Sequence, residues 1–387
     1  MVQLQYSGML ERFKDVPDPR TRPNRIYPWE LLWALISAAM ASACHNPAAI
    51  ARWITEHRDD LFAVLPPTLI RLPSESTIRR TLSCVDATKL DAALSLLPTP
   101  SPAPPVELAA ADPPTPLVGQ AVDGKSVRGV TRDGHPCQLV SLVEHSSATV
   151  LAQEQVLRKR DERSAVPLLL AGRALRGTVI TLDALHTLKP TARLILSLGG
   201  DYLMVVKKNQ RTLYEFLELL FRLPSHPADH EVWDQKGPTS EKGHGRLETR
   251  TLICGAAHIE DVDWPGVAQV MRRECERIEL KSGKLTCEVS YGVTSLAPSR
   301  ADAAVVEALW RGHWTIENRV HYVRDVSFGE DGGHAAAGTT ARVMASVRNA
   351  LLYLFRRAGW HLVPSALAHY GASVRRALSL IGLKVNT

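Results

Sequence analysis

Through residues 1–97 of the 387-residue chain, apolar positions recur at helical spacing. Pro28-Trp-Glu-Leu-Leu-Trp opens one helix with proline in its first turn, and the apolar run continues to about Cys44. Asn46-Pro-Ala-Ala-Ile-Ala-Arg-Trp begins a second. Ser74-Glu-Ser-Thr-Ile-Arg-Arg-Thr-Leu begins a third, with Ser76 as the expected cap and Arg79 and Arg80 on the helix face. A short helix after a turn, carrying paired arginines, suits a helix-turn-helix reader of DNA. A plain helical bundle with a solvated basic edge gives the same pattern, and Asp59, Asp60, Asp86 and Asp91 offset the local charge.

The pattern stops at residues 98–117, where eight prolines forbid a helix interior or a sheet centre. This stretch reads as an extended linker and a domain boundary. Beyond it the period changes. Val118–Asp123, Gln138–Val143 and Thr149–Val156 read as strands, Ser164–Leu175 as a helix and Gly177–Asp183 as a buried strand. Thr187–Leu198 is a helix, Gly200–Val206 a strand and Arg211–Leu220 a helix. The order βββαβαβα predicts an α/β domain with a mixed sheet covered by helices, in the ribonuclease-H manner. Residues 221–298 read as a β-rich insertion, with strands at Arg246–Ile253, Val267–Arg273 and Leu285–Tyr291, and helices resume from about Ala301. The expected organisation is a small all-α domain (1–97), the linker (98–117), a ribonuclease-H-like domain (118–340) and a basic helical tail (341–387).

Composition narrows the class. With 45% apolar and 22% charged residues the chain is ordinary globular material, which excludes wholesale disorder and fibrous repeats. The net charge of +6 is unevenly spread: after Asp331 there are seven cations and no acid, leaving the rest of the chain at −1. That asymmetry points to a polyanion, either nucleic acid or an acidic membrane surface. The six cysteines are scattered with no Cys-x-x-Cys pair, so reduced thiols in a cytosolic protein are expected rather than a zinc ribbon or a disulfide framework. The start carries no signal-peptide pattern, and the longest apolar run, Leu31–Cys44, falls short of the ~20 residues of a membrane span. The expectation is a soluble intracellular protein with no membrane partner.

Two acids sit where strands should end. Asp123 closes Val118–Val122 and is followed by Gly124-Lys125, and Asp183 closes Thr178–Leu182. Ligands bind at the carboxyl ends of strands in open α/β sheets, and two such acids make a hard oxygen site suited to Mg²⁺ or Mn²⁺. Either acid alone could equally cap the turn that follows it. From Ala303 to about Val326 the spacing is helical, with Leu309, Ile316, Val320 and Val323 as an apolar stripe. Beside it Trp310, His313, Glu317, His321 and Arg324 line up, and Glu317 would complete a three-carboxylate site against the sheet. A solvated face holding a Glu317–His321 or Glu317–His313 pair is the plainer reading.

Five segments, in order, carry a family resemblance: Ala121-Val-Asp-Gly-Lys-Ser-Val-Arg-Gly, Thr181-Leu-Asp-Ala-Leu-His-Thr, Gly200-Asp-Tyr-Leu-Met-Val-Val-Lys-Lys-Asn-Gln, Gly243-His-Gly-Arg-Leu-Glu-Thr-Arg and His313-Trp-Thr-Ile-Glu-Asn-Arg-Val-His-Tyr-Val-Arg-Asp-Val-Ser-Phe-Gly-Glu-Asp. They resemble bacterial insertion-sequence transposases of the H-repeat-associated DDE group, and Phe13-Lys-Asp-Val-Pro-Asp-Pro-Arg resembles the helical domain preceding the catalytic one. The likeness spans roughly residues 11–360. It implies that Asp123, Asp183 and Glu317 are the catalytic acids and that they hold two Mg²⁺ ions, with Mn²⁺ as a substitute. Trp310, His313 and Arg324 stand at −7, −4 and +7 from the catalytic Glu, offsets that relatives fill with an aromatic, a base and a basic residue. The chain departs from the family at Gly332-Gly-His-Ala-Ala, where an Arg-x-Arg run is usual, at Leu188, where Gln is common, and at Lys207-Lys208-Asn209-Gln210 in place of Lys-Gly-Asn-Gln.

The function so implied is cleavage of transposon-end DNA and joining of 3′ ends to target DNA by a homodimer assembled on paired ends, in the bacterial cytoplasm at the nucleoid. Lys125, Lys207, Lys208, Arg246, Arg250, His313, Arg319 and Arg324 are the expected DNA contacts, with Arg79 and Arg80 on the helical domain. Two alternatives share the same residues: a catalytically silent DNA-binding regulator derived from such a transposase, and a nuclease without strand transfer.

Overall fold

The computed structural model describes residues 5–21, 25–66, 69–95, 97, 116–132, 135–158, 161–222, 233–243, 245–256, 258–332 and 339–384. Most of the proline-rich segment and the Gly333–Ala336 stretch lie outside them. The protein is mixed α/β, with a helical region at its N-terminal end and one large mixed sheet.

The helical region begins with strand β1 (Gln5–Tyr6) and helices α1 (Met9–Arg12), α2 (Trp29–Ala41), α3 (Pro47–Glu56), α4 (Arg58–Phe62), α5 (Glu75–Cys84) and α6 (Ala87–Ser95). Helix α2 is apolar all round and twelve of its thirteen residues are buried, as a helix at the centre of a bundle must be. Local chemistry sets the starts. Asn46 Oδ1 accepts the Ala49 amide at 2.8 Å with Pro47 in the first turn, and Asp86 Oδ1 accepts the Thr88 and Lys89 amides at 3.0 and 3.1 Å. The residue before α5 is Ser74, where Ser76 was expected: Ser76 already lies inside the helix, and the Ser74 hydroxyl meets the Ser76 and Thr77 hydroxyls.

The sheet contains β2 (Val118–Arg132), β3 (His135–Glu144), β4 (Val150–Val156), β5 (Thr178–Leu182), β6 (Asp201–Val206), β7 (Trp233–Gly243), β8 (Arg246–Gly255), β9 (Gln269–Glu279) and β10 (Leu285–Thr294). Its order is β4-β3-β2-β5-β6-β10-β9-β8-β7, parallel between β2 and β5 and between β5 and β6, antiparallel elsewhere. The residues expected to form an insertion therefore extend the same sheet past β6. Burial follows the strand period: Val122 faces one core and Ala121 the other, while all five residues of β5 are buried, as in a strand covered on both faces. One face carries α7 (Glu162–Leu170), α8 (Lys189–Ser197) and α9 (Arg211–Leu220). Helix α7 stops at Leu170, short of the expected Leu175.

Across the other face run α10 (Ala303–Gly312), α11 (Trp314–Ile316), a π-helical turn at Glu317–His321 and α12 (Tyr322–Val326). The chain ends with α13 (Thr340–Arg357), α14 (Val363–Gly371), α15 (Val374–Ile381) and β11 (Leu383–Lys384), which pairs antiparallel with β1. Helices α13–α15 share one apolar core with α2, and this core reaches Ile316 and Val320 on the helix that crosses the sheet. The run of cations after Asp331 is thereby divided. Arg342 and Arg348 are buried in ion pairs, Arg342 with Asp91 at 2.7 Å and Arg348 with Glu330 at 2.9 Å. All six cysteines are free thiols. Among the described residues no helix is long and apolar enough to cross a membrane.

Glu330 is the hub of a buried ionic cluster. It accepts from Arg324 Nε and Nη2 at 3.0 and 2.9 Å and from Arg348 Nη1 at 2.9 Å, and it is 1% exposed. Burial alone would raise its pKa, yet Arg324 and Arg348 hold it below the usual carboxylate value. A lowered pKa stabilises the fold above the unfolded-state value and withdraws that support as pH falls. Glu330→Gln leaves two guanidinium groups without their counter-charge and is expected to cost about 3–5 kcal/mol in urea unfolding at neutral pH. Arg79→Ala, which removes an exposed pair with Glu75, should stay within about 1 kcal/mol of wild type.

Candidate active site

The parallel pairing of β2 with β5 puts Val122 opposite Leu182, so Asp123 and Asp183 follow at the same level. Asp183 lies just past β5, but Asp123 does not close its strand as expected, because β2 runs on to Arg132 by pairing with β3. The π-helical turn brings Glu317 to the same cleft, which Asp123, Asp183 and Glu317 line together with Lys207, Trp310 and Trp314. The three expected acids thus meet, contributed by three separate elements.

Each is held differently. Asp183 Oδ1 accepts the Leu185 and His186 amides at 3.0 and 3.2 Å, so it caps its turn and faces the cleft at once. That turn is tied down further. The one Thr187 hydroxyl proton is shared between Val205 O at 2.7 Å and Asp183 O at 2.9 Å, Asn209 Nδ2 donates to Ala184 O at 2.6 Å, and Gln210 Nε2 donates to Thr187 O at 2.9 Å. The Asn-Gln pair after β6 is therefore a brace for the second acid. Asp123 is mostly buried. Desolvation first, then the negative charges of Glu317, Asp183 and Glu162, raises its pKa well above the usual carboxylate value, against the lowering effect of the Gly124 amide. Burial on this scale, with acids on several sides, is the electrostatic setting that a divalent cation relieves. The oxygen-rich donor set fits a hard cation.

Three histidines, His186, His313 and His321, stand beside the carboxylates and a fourth, His145, lies behind them on Thr181; sequence reasoning singled out only His313 and His321. Thr181 Oγ1 lies 3.0 Å from His145 Nε2 and 3.0 Å from His313 Nδ1. Burial lowers the pKa of both rings to about 4, so His313 is neutral at physiological pH and carries no charge toward phosphate. His186 is fully buried, with Nε2 3.9 Å from Glu162 Oε2. His321 is buried with Nδ1 3.5 Å from Asp123 Oδ2, and burial followed by Arg324 and Lys125 keeps it neutral. Only close packing admits His145: a Cβ on Gly119 or on Gly312 would come within 2.2 or 2.1 Å of its Nδ1. No sequence signal marked this contact, because Gly119, His145 and Gly312 meet only in the folded chain.

The expected DNA contacts divide by exposure. Lys207, Lys208, Arg319, Arg79 and Arg80 are exposed, and Lys207 stands at the cleft. Arg246 is exposed and pairs with Glu248 at 2.5 Å; Arg250 is partly buried and pairs with Glu241 and Glu248. Lys125 and Arg324 face inward. Lys125 is 6% exposed and bonds Asp325, eight residues beyond Glu317, with Asp331 4.0 Å away. Arg324 is fully buried on Glu330. The alternation of β2 explains Lys125: it shares the Asp123 face, which the crossing helix covers. For Arg324 the helical spacing was legible, but the covering core was not.

The family model described as Transposase DDE domain matches residues 81–353, and the one described as DDE_Tnp_1-associated matches residues 10–96. The chain is 29% identical over 244 residues to “Putative transposase YncI” of Escherichia coli O157:H7, covering 61% of each chain. It is 27% identical over 241 residues to “H repeat-associated putative transposase YhhI” of Escherichia coli K12, covering 59% of this chain and 61% of that one. It is 30% identical over 291 residues to “Uncharacterized protein in dhlA 3'region” of Xanthobacter autotrophicus, covering 73% of this chain and 92% of the other. The match thus spans 61% of the length of the two Escherichia coli relatives.

Two stability outcomes follow from the site. Because the pKa of Asp123 is raised, its contribution to stability is present below the usual carboxylate range and lost as pH rises through the raised value. With chelator present at neutral pH, Asp123→Asn should therefore stabilise the protein by about 1 kcal/mol or more in urea, a gain that shrinks as pH falls. Gly312→Ala should destabilise by about 1–3 kcal/mol. In a His145→Ala background that penalty should vanish, which a double-mutant cycle measures.

Proposed function

Because the chain belongs to the DDE transposase family, in its H-repeat-associated group, we propose that it cleaves transposon-end DNA and joins the freed 3′ ends to target DNA. The observation that carries this reading is the convergence of Asp123, Asp183 and Glu317 on one cleft at the end of the parallel strands. The first five strands of the sheet, taken in the spatial order 3-2-1-4-5 with the first three antiparallel, support a ribonuclease-H-like core extended by the β7–β10 strands.

Asp123, Asp183 and Glu317 would hold two divalent ions, Mg²⁺ or Mn²⁺. When bound, such ions supply Lewis-acid activation and charge neutralisation for in-line displacement at phosphorus. The chain's own residues prepare the site. The Leu185 and His186 amides fix one oxygen of Asp183, and the Lys125–Asp325 pair holds the helix that carries Glu317 against β2. Neutral His313, anchored on Thr181, fills the floor beside Asp183 without competing as a cation. Lys207 offers a charge at the cleft for a phosphate, and the exposed Lys208, Arg246, Arg319, Arg79 and Arg80 extend the cationic surface for double-stranded DNA. Ends come in pairs, so a homodimer on two ends is the working assembly, acting on nucleoid DNA in the bacterial cytoplasm.

Supercoiled plasmid carrying the DNA that flanks this gene, incubated with Mg²⁺ or Mn²⁺, provides the test. Wild type should nick at the element ends, and Glu317→Gln should lower the rate by about a hundredfold or more, the equivalent of about 2.7 kcal/mol or more of lost transition-state stabilisation. Tight binding of the plasmid by both proteins with neither cutting it would replace this reading with that of a silent regulator.

A further inference from the structure

His321 lies four residues beyond Glu317 in the π-helical turn, a rare kind of turn frequently found at functional sites. Its ring is buried, yet it is poorly satisfied. The Nδ1–Asp123 Oδ2 separation of 3.5 Å exceeds a good N–H···O hydrogen bond, and Nε2 is buried with no hydrogen-bond partner among the described residues. A buried imidazole without partners is costly to keep. The donor atoms of Asp123, Glu317 and His321 lie within 4.8 Å of one another, a spacing that one cation can span; Asp183 is not part of that close group.

We infer that His321 is a nitrogen ligand to the cation held by Asp123 and Glu317. The inference rests on the metal-binding reading of this cleft and adds a donor that the three carboxylates do not supply. A ring nitrogen changes the selectivity of the site. Mg²⁺ favours an all-oxygen shell, whereas imidazole suits first-row transition ions, so this position binds Mn²⁺ in preference to Mg²⁺. The placement of His321 follows from the chain: the π turn presents positions 317 and 321 to the same side, while Val320 between them faces the apolar core.

The test uses the full chain without DNA, with Mn²⁺ and Mg²⁺ themselves as probes. Pulsed electron paramagnetic resonance of bound Mn²⁺ should detect a directly coordinated histidine nitrogen in wild type, and the signal should disappear in His321→Gln. Calorimetry should give Mn²⁺ binding weakened by roughly tenfold or more in that variant, with a smaller change for Mg²⁺, so the preference between the ions narrows. Should His321→Gln fail to fold, His321→Asn provides the same comparison, and the wild-type nitrogen signal requires no variant. Mn²⁺ that binds wild type without nitrogen coupling, and is lost in Glu317→Gln, overturns the histidine ligand while leaving the carboxylate site standing. Coupling that persists in His321→Gln assigns the nitrogen to another ring and overturns it as well. Absence of Mn²⁺ binding to wild type overturns both this inference and the metal-binding reading beneath it.

Discussion

One register governs the catalytic end of this molecule: Val122 beside Leu182 in a parallel pair. Because side chains alternate along a strand, a slip of one residue would send Asp123 to the opposite face, where Val122 now packs under the helices α7–α9. The two acids stand together because the 59 residues between them return β5 to the correct level on β2. Strand β5 is buried on both faces, so its level is set by the backbone pairing to β2 and β6 rather than by an in-and-out alternation of its own. The fold spends this register on gathering like charges, which oppose it.

The third acid depends on a different anchor. Glu317 projects from a helix that crosses the sheet, and ions on both sides fix where that helix lies. Lys125 draws Asp325 toward β2, while Arg324 and Arg348 converge on Glu330 and link the same segment to α13. Gln153 of β4 joins this network through Arg324 and Asn349. Helices near both ends of the chain therefore share a core with the crossing helix. The helical region is a structural support for Glu317, whatever it contacts on its outer surface.

Much of the sheet could be read in the chain, because apolar runs such as Thr178–Leu182 and Tyr202–Val206 admit few other uses. Strand β7 could not: Trp233–Gly243 is mostly polar, contains Gly237-Pro238, and pairs on one side only, so partner geometry rather than composition makes it a strand. Asp183 was legible from its place just past a strand and Glu317 from its helical spacing, whereas Asp123 lies within β2 and marks only the end of that strand's parallel pairing with β5. The direction of cations was not legible. Lys125, Arg324, Arg342 and Arg348 have the composition of a phosphate grip, yet they point inward to buried or partly buried acids, Asp325, Glu330 and Asp91. Ser74 and Ser76 show the same limit at close range, since either spacing could open α5 and only packing selects one.

The slot around His145 carries a consequence for how this chain can change over time. Gly119 on β2 and Gly312 at the end of α10 press on the imidazole from two sides, at distances that no added carbon could occupy. A larger residue at either glycine collides while the ring is present, whereas a smaller residue at position 145 leaves both glycines free to vary. Mutational history at these three places therefore has a preferred direction: replacing a glycine is costly while the histidine is present and loses that cost once the histidine has been given up.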